Sequence, residues 1–322
     1  MIEVSSLEKS YGFARALKGI SFSVQKGEVI GFLGPNGAGK STTMKILTGY
    51  LLPSAGAASV AGFDVVEHSL EVRRRIGYLP ETTPLYTEMR VDDYLRFVAE
   101  IRGVPGGRRR AAIARAIELC GLTRVTGKDI RELSKGYRQR VGLAQAIVHE
   151  PEVLILDEPT SGLDPNQIIE VRHLIERLGK DHTVVLSTHV LQEVEKTCSR
   201  VIIVDRGEIV ADGTQDALIA RRPGGAVRAS VRGPEAMVLQ KCAEALPGVK
   251  VEVAGRGGEA IEYRLDPGPD GARVAQAFSR LVVQGGWDLL ELARERATLE
   301  DVFRALTSRD STAASAKEYV GV

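Results

Sequence analysis

The chain has 322 residues, 43% of them hydrophobic, a formal net charge of +1 and three cysteines. That allows one large domain plus a small one with a proper core, and the near-neutral balance argues against a nucleic-acid binder that works by bulk charge. Apolar runs such as Val201-Ile202-Ile203-Val204 are strand-sized, far below the roughly 18 to 20 residues of a spanning helix; Met1-Ile2-Glu3-Val4-Ser5 lacks a signal-peptide pattern, and the cysteines are too scattered for a metal or redox motif, which suits a cytoplasmic soluble chain.

The first segment alternates, with Ile2 and Val4, then Ile20, Phe22 and Val24, separated by polar residues, and Lys26-Gly27-Glu28 reads as a turn. Tyr11, at the end of the first strand, suits either simple packing or stacking on a purine face. A buried strand, Val29-Ile30-Gly31-Phe32-Leu33, then leads into Gly34-Pro35-Asn36-Gly37-Ala38-Gly39-Lys40-Ser41 and a helix from Ser41 to about Thr48, followed by Gly49. A glycine-rich loop between strand and helix turns successive N–H groups inward as an anion nest, and the helix dipole points its positive end at the same place. In such a loop Lys40 reaches the β- and γ-phosphates of a nucleotide and the Ser41 hydroxyl ligates Mg2+.

Leu52-Pro53-Ser54-Ala55-Gly56 reads as a turn, followed by a short strand near residues 58–61. A helical run through Arg73-Arg74-Arg75 has the look of a solvated face, and the strand Ile76-Gly77-Tyr78-Leu79 ends at Pro80-Glu81. From Val91 the period becomes helical, with Val91, Tyr94, Leu95, Val98 and Ile101 on one face. Residues 103–107 break it, and a second helix at about 108–120 turns Ala112, Ile113, Ala116 and Ile117 inward. A helical insertion of roughly fifty residues therefore separates the early strands from the later ones.

Ser134-Lys135-Gly136 caps the next helix, and a helix N-terminus favours an anion, although a purely structural cap fits as well. That helix runs through Val141, Ala144, Ile147 and Val148 to Pro151. Val153-Leu154-Ile155-Leu156 is a continuous apolar strand closed by Asp157-Glu158-Pro159. An acidic pair there is costly unless something pairs with it, and Mg2+ is the obvious partner. Val184-Val185-Leu186 delivers His189 to another strand's C-terminal end, where α/β sheets place their ligands, whereas His68, His149, His173 and His182 read as filler. After a hairpin near 207–213 and a short helix to about 220, residues 222–225 read as a linker. Residues 226–308 alternate strand and helix as a small α+β domain of ferredoxin-like type, with Thr298 and Asp301 capping the last helix. The tail from 309, rich in Ser, Thr and Ala, is expected to be disordered.

The phosphate loop, Leu133-Ser134-Lys135-Gly136-Tyr137, Leu154-Ile155-Leu156-Asp157-Glu158, Ser161-Gly162-Leu163-Asp164 and Ser187-Thr188-His189 stand in the order and approximate spacing of an ABC-type ATPase, which the chain resembles over residues 1–221. Gly77-Tyr78-Leu79-Pro80-Glu81, Leu133 to Arg140 and Thr298-Leu299-Glu300-Asp301-Val302-Phe303 look like the ATP-binding subunits of ABC-2-type exporters, nearest the gliding-motility-associated subgroup. The resemblance implies an α/β P-loop NTPase core with an antiparallel β subdomain and a helical subdomain at about 82–135, plus the accessory C-terminal domain. It implies ATP and Mg2+ as cofactors, a head-to-tail homodimer, a separate integral-membrane permease of ABC-2 type, no nucleic-acid partner, and a place on the inner face of the cell membrane.

On the same resemblance Tyr11 meets the adenine ring and Gly34, Pro35, Asn36, Gly37, Ala38, Gly39, Lys40, Ser41 and Thr42 hold the phosphates. Ser134, Lys135, Gly136 and Asp164 complete the site of the other copy, Ser41, Glu81 and Asp157 serve the metal, Glu158 polarises the attacking water, and His189 senses the γ-phosphate. Two positions depart from the family pattern: Lys135 and Tyr137 stand where glycine and glutamine are usual, and Glu81 replaces a glutamine and lacks its amide donor. The rival expectation is an ABC ATPase acting on ribosomes or nucleic acid, but neither a long coiled coil nor a second nucleotide domain is visible.

Overall fold

The structure is a computed structural model that describes residues 1–220, 226–266, 271–295 and 298–307. The expected linker at 222–225 and the tail from 309 lie outside the described residues. The described residues group into two compact units that divide between Thr214 and Gln215.

The first unit opens with β1 (Ile2–Tyr11) and β2 (Ala14–Val24), an antiparallel pair that turns Ile2, Val4, Leu7, Ile20, Phe22 and Val24 into the core. β3 (Val29–Leu33) follows, then α1 (Lys40–Leu47), which starts at the lysine itself because Gly39 takes a left-handed φ of 109° just before it. β4 (Ala55–Val60) begins earlier than the sequence pattern indicates, since Gly56, at φ 78°, lies so close to Ser6 O that no Cβ would fit. β5 (Phe63–Asp64) completes a four-stranded sheet in the order β2-β1-β4-β5.

Next come α2 (Ser69–Arg75), β6 (Ile76–Leu79), α3 (Val91–Ile101), α4 (Gly106–Leu119) and α5 (Lys135–Ile147). In α3 the face Val91, Tyr94, Leu95 and Val98 is buried as its period predicts, but Ile101 is 66% exposed, because it stands on the last turn with only the Arg102 cap beyond it. Gly106 and Gly107 belong to α4 instead of breaking the chain: Pro105 caps the helix and its carbonyl accepts from Arg108 N and Arg109 N. Of the face expected to turn inward in α4, Ala116 is fully buried and Ala112, Ile113 and Ile117 only partly.

β7 (Val153–Asp157), α6 (Pro165–Leu178), β8 (Thr183–Thr188), α7 (Leu191–Thr197), β9 (Arg200–Asp205) and β10 (Glu208–Thr214) complete this unit. Its main sheet has six strands in the order β10-β9-β3-β8-β7-β6, with β10 antiparallel at the edge and the others parallel. β7 is buried at every position, as befits a strand covered on both faces. Parallel register brings four strand ends to one edge: Leu33 pairs with Thr188, Asp157 with Ser187, and Leu79 with Leu156. The segments starting at Gly34, Pro80, Glu158 and His189 therefore leave from the same edge of the sheet.

The second unit contains α8 (Gln215–Ala220), β11 (Val227–Arg232), α9 (Glu235–Ala245), β12 (Lys250–Gly257), β13 (Ala260–Asp266), α10 (Gly271–Gln284), β14 (Asp288–Arg294) and α11 (Leu299–Thr307). From β11 to β14 the elements run β-α-β-β-α-β, and the antiparallel sheet order β12-β13-β11-β14 is the ferredoxin-like arrangement. Its core centres on Val227, Ala229, Val231, Tyr263, Leu265 and Phe278. Thr298 and Asp301 cap α11 reciprocally, Asp301 N donating to Thr298 Oγ1 at 3.2 Å and Thr298 N to Asp301 Oδ2 at 3.0 Å.

Candidate nucleotide site

Where the four strand ends meet, a cavity of about 530 Å3 opens, lined by Asn36, Gly37, Gly39, Lys40, Ser41, Thr42, Glu81, Glu158 and His189, with Ala16 and Ser161 beside them. Its floor is the loop between β3 and α1. Gly37 and Gly39 hold φ values of 80° and 109°, which only glycine adopts freely. A side chain on Gly39 would also lie 2.7 Å from Leu17 Cδ2 and 2.8 Å from Ala16 O, while Gly34 is pressed against Val204 O from behind. Gly34, Pro35 and Ala38 thus shape the loop without lining the cavity.

Lys40 is 5% exposed, and its ammonium donates to Gly34 O at 2.8 Å and Pro35 O at 3.2 Å. It also faces Glu158 Oε1 at 3.6 Å. Glu158 is itself 7% exposed, and its other oxygen lies 2.8 Å from His189 Nδ1. A buried carboxylate is therefore held between an ammonium and an imidazole. Its backbone is left-handed at φ 49°, the kind of local strain that persists where surrounding structure enforces it. Glu158 N donating to Ser187 O at 2.9 Å is part of that enforcement.

Asp157 lies one residue deeper, 1% exposed, accepting from Ser41 Oγ at 3.2 Å and Ser187 Oγ at 2.7 Å. Ser41 and Asp157 offer hard oxygen donors of the kind that hold Mg2+ together with nucleotide phosphates, so the residues fit that ion. Among the described residues no group of three or more His, Cys, Asp or Glu could hold a metal ion. Glu81 is exposed at the cavity wall and has no hydrogen bond or ion pair to Ser41 or Asp157. On β6 the Tyr78 hydroxyl is buried without a hydrogen-bond partner among the described residues, and burial together with the Asp157 charge pushes its pKa upward.

The remaining predicted residues lie elsewhere. Ser134 caps α5 by accepting from Tyr137 N, and Asp164 caps α6 by accepting from Gln167 N at 3.0 Å. These two helix starts meet each other: a Cβ on Gly136 would come within 2.6 Å of Gln167 Cδ, and one on Gly162 would strike Lys135 Nζ. None of Ser134, Lys135, Gly136 and Asp164 lines the cavity around Lys40. Tyr11 stands at the end of β1, 51% exposed, with Lys9 Nζ 5.4 Å from its ring centre, and it does not line the cavity either.

Sequence reasoning gave no role of their own to two supporting residues, Ser187 and Gln139, although both stand inside the motifs that carry the resemblance. Ser187, which orients Asp157, precedes the expected His189 by two positions but carries no chemistry of its own to draw attention. Gln139, 6% exposed, donates to Pro159 O at 2.7 Å and accepts from Thr83 Oγ1 at 2.8 Å. It joins the segment after Glu81 to the segment after Glu158. Only the fold could reveal that, because the three positions are far apart in the chain.

The strand, glycine-rich loop, helix and the acidic strand end beside it define a P-loop nucleotide-binding protein. Residues 17–161 match the ABC transporter family. The chain is 40% identical over 222 residues to the probable multidrug ABC transporter ATP-binding protein YbhF of Escherichia coli, covering 69% of this chain and only 38% of the length of YbhF. It is 35% identical over 314 residues to the Nod factor export ATP-binding protein I of Burkholderia orbicola, covering 96% of this chain and 97% of that one. A solved ATP-binding subunit of an ABC transporter superposes with a TM-score of 0.63 at 32% identity, covering 69% of this chain and 92% of that structure. The chain belongs to the family of ABC transporter ATP-binding proteins.

Proposed function

We propose that this chain is the Mg2+-dependent ATP-hydrolysing subunit of an ABC-2-type exporter, acting as a head-to-tail homodimer on a separate integral-membrane permease. The observation that carries this reading is the cavity in which Lys40, Ser41, Glu158 and His189 converge. Residues 1–221 form the nucleotide-binding module, with a helical subdomain at about 82–135, and residues 226–308 form an accessory domain for dimer or partner contacts.

In this reading the 34–42 loop binds the phosphates through its backbone N–H groups, and Lys40 exchanges its loop carbonyls for phosphate oxygens. Ser41 and Asp157, with Glu81, are the residues that would hold Mg2+, which when bound would supply neutralising charge for the transferred phosphoryl group. Glu158 orients the attacking water as a general base, and its contact with His189 keeps the carboxylate aimed. His189 in turn reports on the γ-phosphate. Tyr11 stacks on the adenine ring. Ser134, Lys135, Gly136 and Asp164, grouped away from their own cavity, close the cavity of a second copy. Glu81 and the segment from Thr82 to Met89 relay nucleotide state to the permease, so the chain works at the inner face of the membrane.

The near full-length similarity to a protein named for Nod factor export supports the transport reading. The test is affinity isolation of the Glu158→Gln form with ATP from detergent-solubilised native cells, followed by mass spectrometry. A stoichiometric multi-span permease is expected; ribosomal or DNA-repair proteins without a membrane protein would contradict the proposal.

A further inference from the structure

Glu193, in α7, is a carboxylate at 5% exposure that forms no ion pair among the described residues. Burying such a charge costs several kcal/mol unless its oxygens are well satisfied. Both are taken by hydroxyls. Thr160 Oγ1 donates to Oε1, and Thr188 Oγ1 donates to Oε2 at 2.8 Å while accepting from Val190 N at 3.0 Å.

The origin of those hydroxyls is what matters. Thr160 stands two residues after Glu158, on the segment leaving β7. Thr188 stands immediately before His189, at the end of β8. One side chain therefore grips, from behind, the two loops whose side chains meet in front as the 2.8 Å contact between His189 and Glu158.

The helix that carries Glu193 is also tightly seated. A Cβ on Gly31 of β3 would lie 2.6 Å from Val194 Cγ1 and 3.2 Å from Cys198 Sγ, so α7 rests directly on the backbone of the strand that feeds the phosphate loop. Glu193 thus refers both loops to that strand. A filler meant only to pack α7 would need no charge, whereas a carboxylate accepting two hydroxyls fixes their directions as well as their distances.

We propose that Glu193 is a positioning residue for hydrolysis, setting the separation and orientation of Glu158 and His189 through Thr160 and Thr188. The inference rests on the ATPase reading above and concerns the same site.

The test is Glu193→Gln, which keeps the volume but replaces one acceptor with a donor, so that one of the two hydroxyls must turn. We expect kcat to fall on the order of 10- to 100-fold, the size of effect small displacements of reacting groups produce. KM for ATP and the melting temperature stay near wild type. In a Glu158→Gln background the same change adds no further loss of the residual rate, because the two residues act as one unit. In nucleotide-free protein the His189 imidazole resonance, assigned by its disappearance in His189→Ala, shifts while that of His149 does not. Thr160→Val and Thr188→Val each move kcat and the resonance the same way, and they carry the test if Glu193→Gln does not fold.

An unchanged kcat, an equal additional loss in the Glu158→Gln background, or an unmoved His189 resonance would each overturn the proposal and leave Glu193 as packing. No phosphate release from wild type with ATP and Mg2+ would instead defeat the ATPase reading, and the nucleotide-free resonance alone would then decide whether Glu193 positions His189.

Discussion

Lys40 and Glu158 explain each other at the scale of single residues. Each is buried enough that leaving it alone would be costly, and each has the other at 3.6 Å. The ammonium has two loop carbonyls as further partners, and a phosphate oxygen can replace either. Charge-assisted hydrogen bonds of this kind contribute about 1.5 to 3 kcal/mol. Lys40→Ala is therefore expected to weaken ATP binding on the order of 10- to 100-fold in a calorimetric titration. Affinity equal to wild type would mean that the loop backbone alone carries recognition.

The phosphate loop could be read from sequence because its chemistry is local: glycines at fixed offsets, one lysine and one hydroxyl. Glu193 could not. In Leu191-Gln192-Glu193-Val194-Glu195 it looks like one more surface acid, yet the fold buries it against Thr160 and Thr188, which lie far apart in the chain.

At the scale of elements, His149 shows what burial does to a connecting segment. Its Nε2 lies 3.1 Å from Ile76 O at the start of β6, while its Nδ1 is buried without a partner. Burial, with Arg102 nearby, pushes its pKa from the ordinary 6.5 down to about 4. Between those values an unfolded chain takes up a proton that the folded chain refuses. The stabilisation is thus complete above about 6.5 and is lost as pH falls toward 4, by up to about 3 kcal/mol. Denaturation midpoints at neutral and acid pH are expected to separate less in His149→Gln than in wild type; identical separation would show that His149 does not titrate in this way.

Helix and strand identities followed largely from periodicity, and the misses have physical causes. Ile101 fits the α3 period but sits on the last turn, beyond the neighbours that bury Val98. Gly106 and Gly107 carry the weakest helix propensity of any residue but proline, yet the Pro105 cap starts α4 through them. The alternation of strands and helices after residue 226 suggested the ferredoxin-like class. The order β12-β13-β11-β14 depends on long-range pairing that no local pattern encodes.

For the whole molecule, the notable arrangement is that the predicted site residues other than Tyr11 fall into two groups, one around Lys40 and one at the meeting starts of α5 and α6. A second anion-favouring helix start, set apart from the Lys40 cavity, makes sense when another copy supplies the nucleotide. Sedimentation of Glu158→Gln is expected to show monomer without nucleotide and dimer with ATP and Mg2+. Ser134→Arg in that background should remain monomeric, and a dimer unaffected by it would place the interface elsewhere.

Hydrolysis by Glu158 stands at the centre of this account. It is tested most directly by phosphate release from purified wild type and Glu158→Gln, with ATP binding measured on the same samples. Both forms should bind ATP, and turnover should fall by at least about 100-fold in the variant, as expected for loss of a general base. Near-normal turnover in a variant that binds ATP would contradict the assignment and move the base to another residue.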